Sequence, residues 1–386
     1  MVSRTLSLLA ALVLLPGLAF AAPEPARAVG RIQKVQDRAQ FQSRLRALGF
    51  KKRGGIDKDR TDHDDARRLS FPHFTSSFNY RGTNYPYTMV GYPPASGKTA
   101  NVRSVIIPLR MNFSFFADQP ILFEPDIAVN NIVNSPMYDE ARFANGVGQF
   151  GDQLQRATFW NKMDRNRNWH VKMAAPRIHK TIEVLVEPDV GEIQDATGDG
   201  TGLIGNVRFG FMDAQIHTIL QFIDIEPDEL PIFVTYNVTA DALGYHDAFV
   251  VGKDHGTEVL QTLQYTSWLE GALVGDLLAD VSTFNHELGE WLNDPYVNNI
   301  VPTWEYPPFN QLCSDNPFLE VGDPQGNGPD YAAFPTVVVP LNGYNYHLQD
   351  LVMLPWFTGE VPSTAFRGWY DFPAGNQIKT PATICP

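Results

Sequence analysis

The sequence predicts an α+β protein with a β-rich N-terminal part, one central helix and a loop-rich C-terminal part. Three observations lead there. Between Phe71 and Glu270, aromatic and β-branched segments alternate with turns marked by Gly and Pro. In VGDLLADVSTFNHELGEWLNDP (274–295), Leu277, Val281, Phe284, Leu288 and Leu292 recur at three- and four-residue intervals, which makes one apolar helix face. Beyond Pro295 turn residues dominate, and strand-like runs become sparse.

Taken in order, Met1–Ala21 reads as a secretory signal. Arg4 gives the charged start, Leu6–Leu18 the apolar run, and Ala19-Phe20-Ala21 the small-residue cleavage site. The apolar run is short for a membrane span, so an exported protein is expected, in the periplasm or outside the cell. Residues 22–70 read as a basic leader or pro-segment, with an amphipathic helix over 31–53. Residues 22–68 carry a net charge of +6 and the chain beyond them −20, within −13 overall. So acidic a body repels nucleic acid and anionic membrane, which excludes both as principal partners. Cys313 and Cys385 could close one disulfide in an oxidising compartment, and two cysteines cannot build a thiolate zinc site.

Residues 71–386 are expected to form one domain, with a β-rich part over about 71–275 and the helix and C-terminal part over 276–386. YPYTMVGY and VRSVIIPLRMNFSFF read as strands joined into a hairpin by PPASGKTAN, and 149–163 as a helix. TIEVLVEP, FVTYNV and LQYTSWLE follow as strands. The Asp195–Asp199 stretch resembles a calcium loop, but Asn206 stands where a twelfth-position carboxylate is needed, so it reads as a turn.

The central helix contains His286-Glu287-Leu288-Gly289-Glu290. At about 100° per residue, His286 and Glu290 lie about 40° apart on one face, a turn from each other. Glu287 stands beside them, within reach of a bound water but off the ligand line. Asp294-Pro295 ends the helix, because proline disfavours helical geometry in the residue before it. A hydrolytic zinc site needs three protein ligands and one open position. His286 and Glu290 supply two. The best third candidate is Glu320 in FLEVGD (318–323), about one chain reversal downstream. Asp323 would then accept from the second nitrogen of His286. Glu287 is the expected general base. His246 is the first choice for a donor to the oxyanion, ahead of Tyr265, Tyr296 and His347.

HELGEWLNDP followed by LEVGD resembles the HE(I/L)xExxxDP…E(I/V)GD pattern of a zincin-like group of secreted, mostly bacterial proteins. The upstream blocks NYPYTMVGYPP, VIIPLRMNFSF, QFGDQLQRATFW, PIFVTYNV and LGYHDAF resemble that group in the same order, over roughly residues 71–360. The resemblance implies a zincin-type fold, His286, Glu290 and Glu320 as metal ligands, and Glu287 as general base. Two carboxylates and one imidazole neutralise a zinc ion formally, which leaves Mn²⁺ or Ca²⁺ as less favoured occupants. The expected activity is a zinc metallopeptidase acting on peptides or proteins. The rival from another class is a non-catalytic secreted or surface-associated protein with a structural metal. A glycosidase fits poorly, since two acids one helical turn apart do not bracket a sugar bond.

Overall fold

The computed structural model describes residues 70–114, 120–254, 257–304, 318–326, 336–375 and 377–382. The signal, all but the last residue of the leader with its basic helix, and both cysteines lie outside the described residues.

The fold is mixed α+β and rich in strands. The longer strands, labelled in chain order, are β1 (His73–Tyr80), β2 (Thr83–Val90), β3 (Thr99–Asn112), β4 (Glu229–Tyr236), β5 (Gly244–Asp254), β6 (Thr257–Trp268), β7 (Thr336–Leu341) and β8 (Tyr344–Gln349). The longer helices are α1 (Asp126–Val133), α2 (Phe150–Thr158), α3 (Phe209–Leu220) and α4 (Ser282–Asn293).

The main sheet runs β5–β6–β4–β3, with β4 parallel to both β3 and β6 and β5 antiparallel to β6. Short segments at His170–Met173, Arg177–Ile178 and Ile182–Leu185 continue the sheet parallel to β3. Strands buried on both faces read as continuous apolar runs. That is the pattern of VIIPL in β3 and LPIFV in β4, where every residue is buried. Alternation along β3 divides them between two cores. Val105, Ile107, Leu109 and Met111 face the core shared with Met212, Ile216 and Ile219 of α3. Val102 and Ile106 face the other, shared with Phe284, Leu288, Trp291 and Leu292 of α4.

The expected hairpin is corrected. β2 pairs with β1, His73 opposite Val90, while β3 takes parallel neighbours. The physical reason is the two-residue loop Arg81-Gly82, where both residues hold positive φ (48° and 89°). That twist matches a tight hairpin, whereas the long PPASGKTAN connection needs no pairing across it. The Asp195 turn is as expected. Its carboxylate accepts from the backbone N–H groups of Thr197, Gly198 and Gly200 and joins two short antiparallel strands.

α4 ends where Asp294-Pro295 places its end, but it begins only at Ser282, with Val281 at its N-cap and Leu277 outside it, and it is buried on more than its apolar face. Every residue of α4 except His286 is buried. It packs on β5 and β6 and is flanked by α2, β2 and β8. The polar face is therefore enclosed as well, and its carboxylates need partners inside the protein. Among the described residues no helix is long and apolar enough to cross a membrane.

Candidate metal centre

Two segments close over the polar face of α4. The first is β5, the last strand in the sheet order, which carries His246. Gly244 permits its approach, since a Cβ there would stand 2.8 Å from the Glu287 side chain. The second is the Phe318–Gly322 stretch. Its backbone is pinned on both sides, with Leu319 N–H donating to Asn299 O (3.1 Å) and Val352 N–H to Val321 O (2.8 Å). Leu319 and Val321 are fully buried in the core, so the residues between and after them, Glu320 and Gly322, turn toward α4. A Cβ at Gly322 would lie 2.4 Å from His286 Nδ1, so only glycine lets this loop meet the imidazole.

Glu290 lies at the middle. Its Oε1 accepts from Gly322 N–H (3.1 Å) and sits 3.2 Å from His286 Nε2, while its Oε2 is 3.6 Å from His246 Nδ1. Glu287 Oε2 is 3.5 Å from the same His246 nitrogen, and Asp323 Oδ1 is 3.7 Å from His286 Nε2. Two sets of ligand atoms converge: His286, Glu290 and Asp323, and His246, Glu290 and Glu320. The trio His286, Glu290 and Glu320 does not converge as one set. Glu320 comes to His246, and Asp323 faces His286 on the ligand side. The His246 and Glu287 side chains are 4% and 6% exposed, against 18% for His286 and 27% for Asp323, so solvent reaches the centre along the His286–Asp323 side.

Burial dominates the electrostatics. It raises Glu320 well above the usual carboxylate range, helped by the Glu290 charge, and it takes Asp323 to about 7 for the same two reasons. Burial likewise raises Glu287, against the pull of His246. On Glu290 burial is outweighed by the imidazoles, His286 first, and the carboxyl is lowered. Burial disfavours the charged form of His246, but Glu287 and Glu320 reverse this and raise the ring to about 10. His286 is raised well above its ordinary value, since Glu290 outweighs burial. Burial thus favours protons on the outer carboxyls and on both imidazoles, and the four carboxyl groups beside two imidazoles make a donor set of the kind that a cation uses when it displaces those protons.

The acceptor for the second nitrogen of His286 is Gln349 on β8. His286 Nδ1 lies 2.9 Å from Gln349 Oε1, and Gln349 Nε2 donates to Gly322 O (2.8 Å). Because the amide N–H₂ is committed to Gly322, the oxygen accepts from Nδ1–H, which leaves Nε2 as the ligating nitrogen. Asn285 grips the backbone of Gln349 in both directions (2.8 and 2.9 Å). Gln349→Ala should weaken zinc binding about 10–100-fold. A zinc titration against a competing chelator checks this, and unchanged affinity would remove Gln349 from the centre.

Three weaker donor candidates go elsewhere. The Tyr265 hydroxyl hydrogen-bonds Thr235, Ser267 and Val238 O in the other core, and Tyr296 stacks on Phe71 (ring centroids 5.7 Å apart). His347 is bonded to Asp280 (2.6 Å). A third convergent group, Asp213, His217 and Asp247, joins α3 to the opposite face of β5. Its Asp213-x₃-His217 spacing was a signal available in the sequence.

No family model matches the chain, and no curated protein or solved structure matches it.

Proposed function

We propose that this chain is an exported, metal-dependent hydrolase of zincin type, a metallopeptidase in which Glu287 is the general base. The observation that carries the reading is the convergence of His246, His286, Glu287, Glu290, Glu320 and Asp323 around one buried helix turn, with solvent access on the Asp323 side. The donors fit a metal. Imidazole nitrogen and carboxylate oxygen suit zinc, with Mn²⁺ the harder alternative, and His286 Nε2 stands 3.2 Å from Glu290 Oε1 and 3.7 Å from Asp323 Oδ1.

His286 and Glu290 would hold the ion, with Asp323 nearest to complete the set and Glu320 beside His246. A bound zinc ion would supply Lewis acidity to a substrate carbonyl and lower the pKa of a water. Glu287 accepts the proton of the attacking water as its oxygen bonds to the carbonyl carbon. It then passes that proton to the amide nitrogen as the C–N bond breaks, giving a carboxylic acid and an amine. His246, 3.5 Å from Glu287, is the imidazole placed to donate to the oxyanion. The Met1–Ala21 signal pattern supports export, and the HELGEWLNDP…LEVGD resemblance supports the zincin assignment.

One observation favours a structural metal instead: Asp323 and Glu320 together offer more carboxylates than an open hydrolytic site uses. Elemental analysis of the purified mature protein, joined to a peptide-hydrolysis assay, separates the readings. Zinc with hydrolysis supports the peptidase, zinc without hydrolysis the structural site, and no zinc excludes both.

A further inference from the structure

The two convergent sets share one residue, and they use its two oxygens separately. Glu290 Oε1 faces His286 Nε2 and the Asp323 side, and Glu290 Oε2 faces His246 Nδ1 and the Glu320 side. A carboxylate whose oxygens address two different ligand groups has the arrangement of a bridging ligand. We infer that the centre holds two divalent cations bridged by Glu290, one on His286 and Asp323 and the other on His246 and Glu320. This rests on the metal reading above and makes His246 a ligand in place of a donor.

Charge is consistent with the count. With neutral, ligating imidazoles and the carboxyls of Glu287, Glu290, Glu320 and Asp323 ionised, two divalent cations leave the enclosed volume neutral. His246, whose side chain is 4% exposed, turns Nδ1 to the second oxygen of the bridge, 3.6 Å from Glu290 Oε2, the placement of a ligating imidazole nitrogen. Two ions about 3.5–4 Å apart are a recurring hydrolytic arrangement, in which both the attacking and the leaving atoms are held. Glu287 belongs to neither ligand set and stays free for proton transfer.

The test is zinc stoichiometry on the full mature chain, saturated with Zn²⁺, passed through a desalting column and analysed for metal against protein concentration. About two equivalents are expected for the wild type, about one for either His246→Gln or His286→Gln, and none for Glu290→Ala. Glu320→Gln, which keeps the side-chain shape, serves where a histidine variant fails to fold, and it too should lose one equivalent. Far-ultraviolet circular dichroism establishes folding in each case. Cobalt provides a second readout, since two Co²⁺ ions sharing a carboxylate give a spin-coupled electron paramagnetic resonance spectrum and a single ion does not. A wild type that saturates at one equivalent, undiminished in His246→Gln, overturns the two-ion centre and leaves the single-ion hydrolase standing. No bound zinc overturns both.

Discussion

Glu287→Gln should lower peptide turnover by about 10²–10⁴-fold, the usual contribution of a positioned general base, while metal content is unchanged. The amide matches the carboxylate in shape but cannot take a proton from water. Glu287 lies on α4 one residue from His286, in neither convergent ligand set, and 3.5 Å from His246. Its loss therefore removes chemistry and not the site. The check is hydrolysis of a quenched-fluorescent peptide library by zinc-loaded wild type and variant, with metal analysis of both. Equal turnover in the two would place the base elsewhere. Turnover lost together with zinc would make Glu287 a ligand.

Trp291→Ala should destabilise the fold by about 3–5 kcal/mol, the usual range for emptying a large aromatic site. Trp291 is fully buried, and its ring meets Phe71 edge-on with centroids 5.0 Å apart. Phe71 lies at the start of the described chain, just before β1, so this contact joins the N-terminal hairpin region to the helix that carries the site. The indole Nε1 is buried with no hydrogen-bond partner among the described residues. Trp291→Phe removes that unpaired donor along with part of the ring, and should cost less than the alanine variant. Urea unfolding reads both. A midpoint unchanged in Trp291→Ala would mean that the helix is held by other contacts.

Much of the site was legible because one helix carries its centre. The apolar spacing from Val281 to Leu292 places α4, Asp294-Pro295 ends it, and the i,i+4 relation brings His286 to Glu290 wherever the helix docks. The carboxylates of the Glu320–Asp323 stretch were legible as residues but not as partners. Which imidazole each one meets depends on Leu319 and Val321 entering the core and on the backbone bonds that pin the loop. Gln349 left no trace in the sequence. An amide is not a metal ligand, and its role arises only because β8 lies beside Asn285 and His286, more than sixty positions upstream. In the sheet, strand segments were recognised better than their pairings. The β1–β2 hairpin turns on Arg81-Gly82, a weaker signal by composition than PPASGKTAN, so the sequence points β2 to β3 in place of β1. The depth of α4 is not legible in its own sequence. Carboxylates on one helix face suit solvent, until a strand bringing His246 and a loop bringing Glu320 and Gly322 cover them.

The most direct test of the metal centre is the zinc content of the purified mature protein beside that of Glu290→Ala. At least one zinc per chain in the wild type and none in the variant is the result expected, because Glu290 belongs to both convergent sets. A wild type that binds no metal when zinc is offered, or a Glu290→Ala protein that keeps the full content, would contradict the assignment of the α4 cluster as a metal centre.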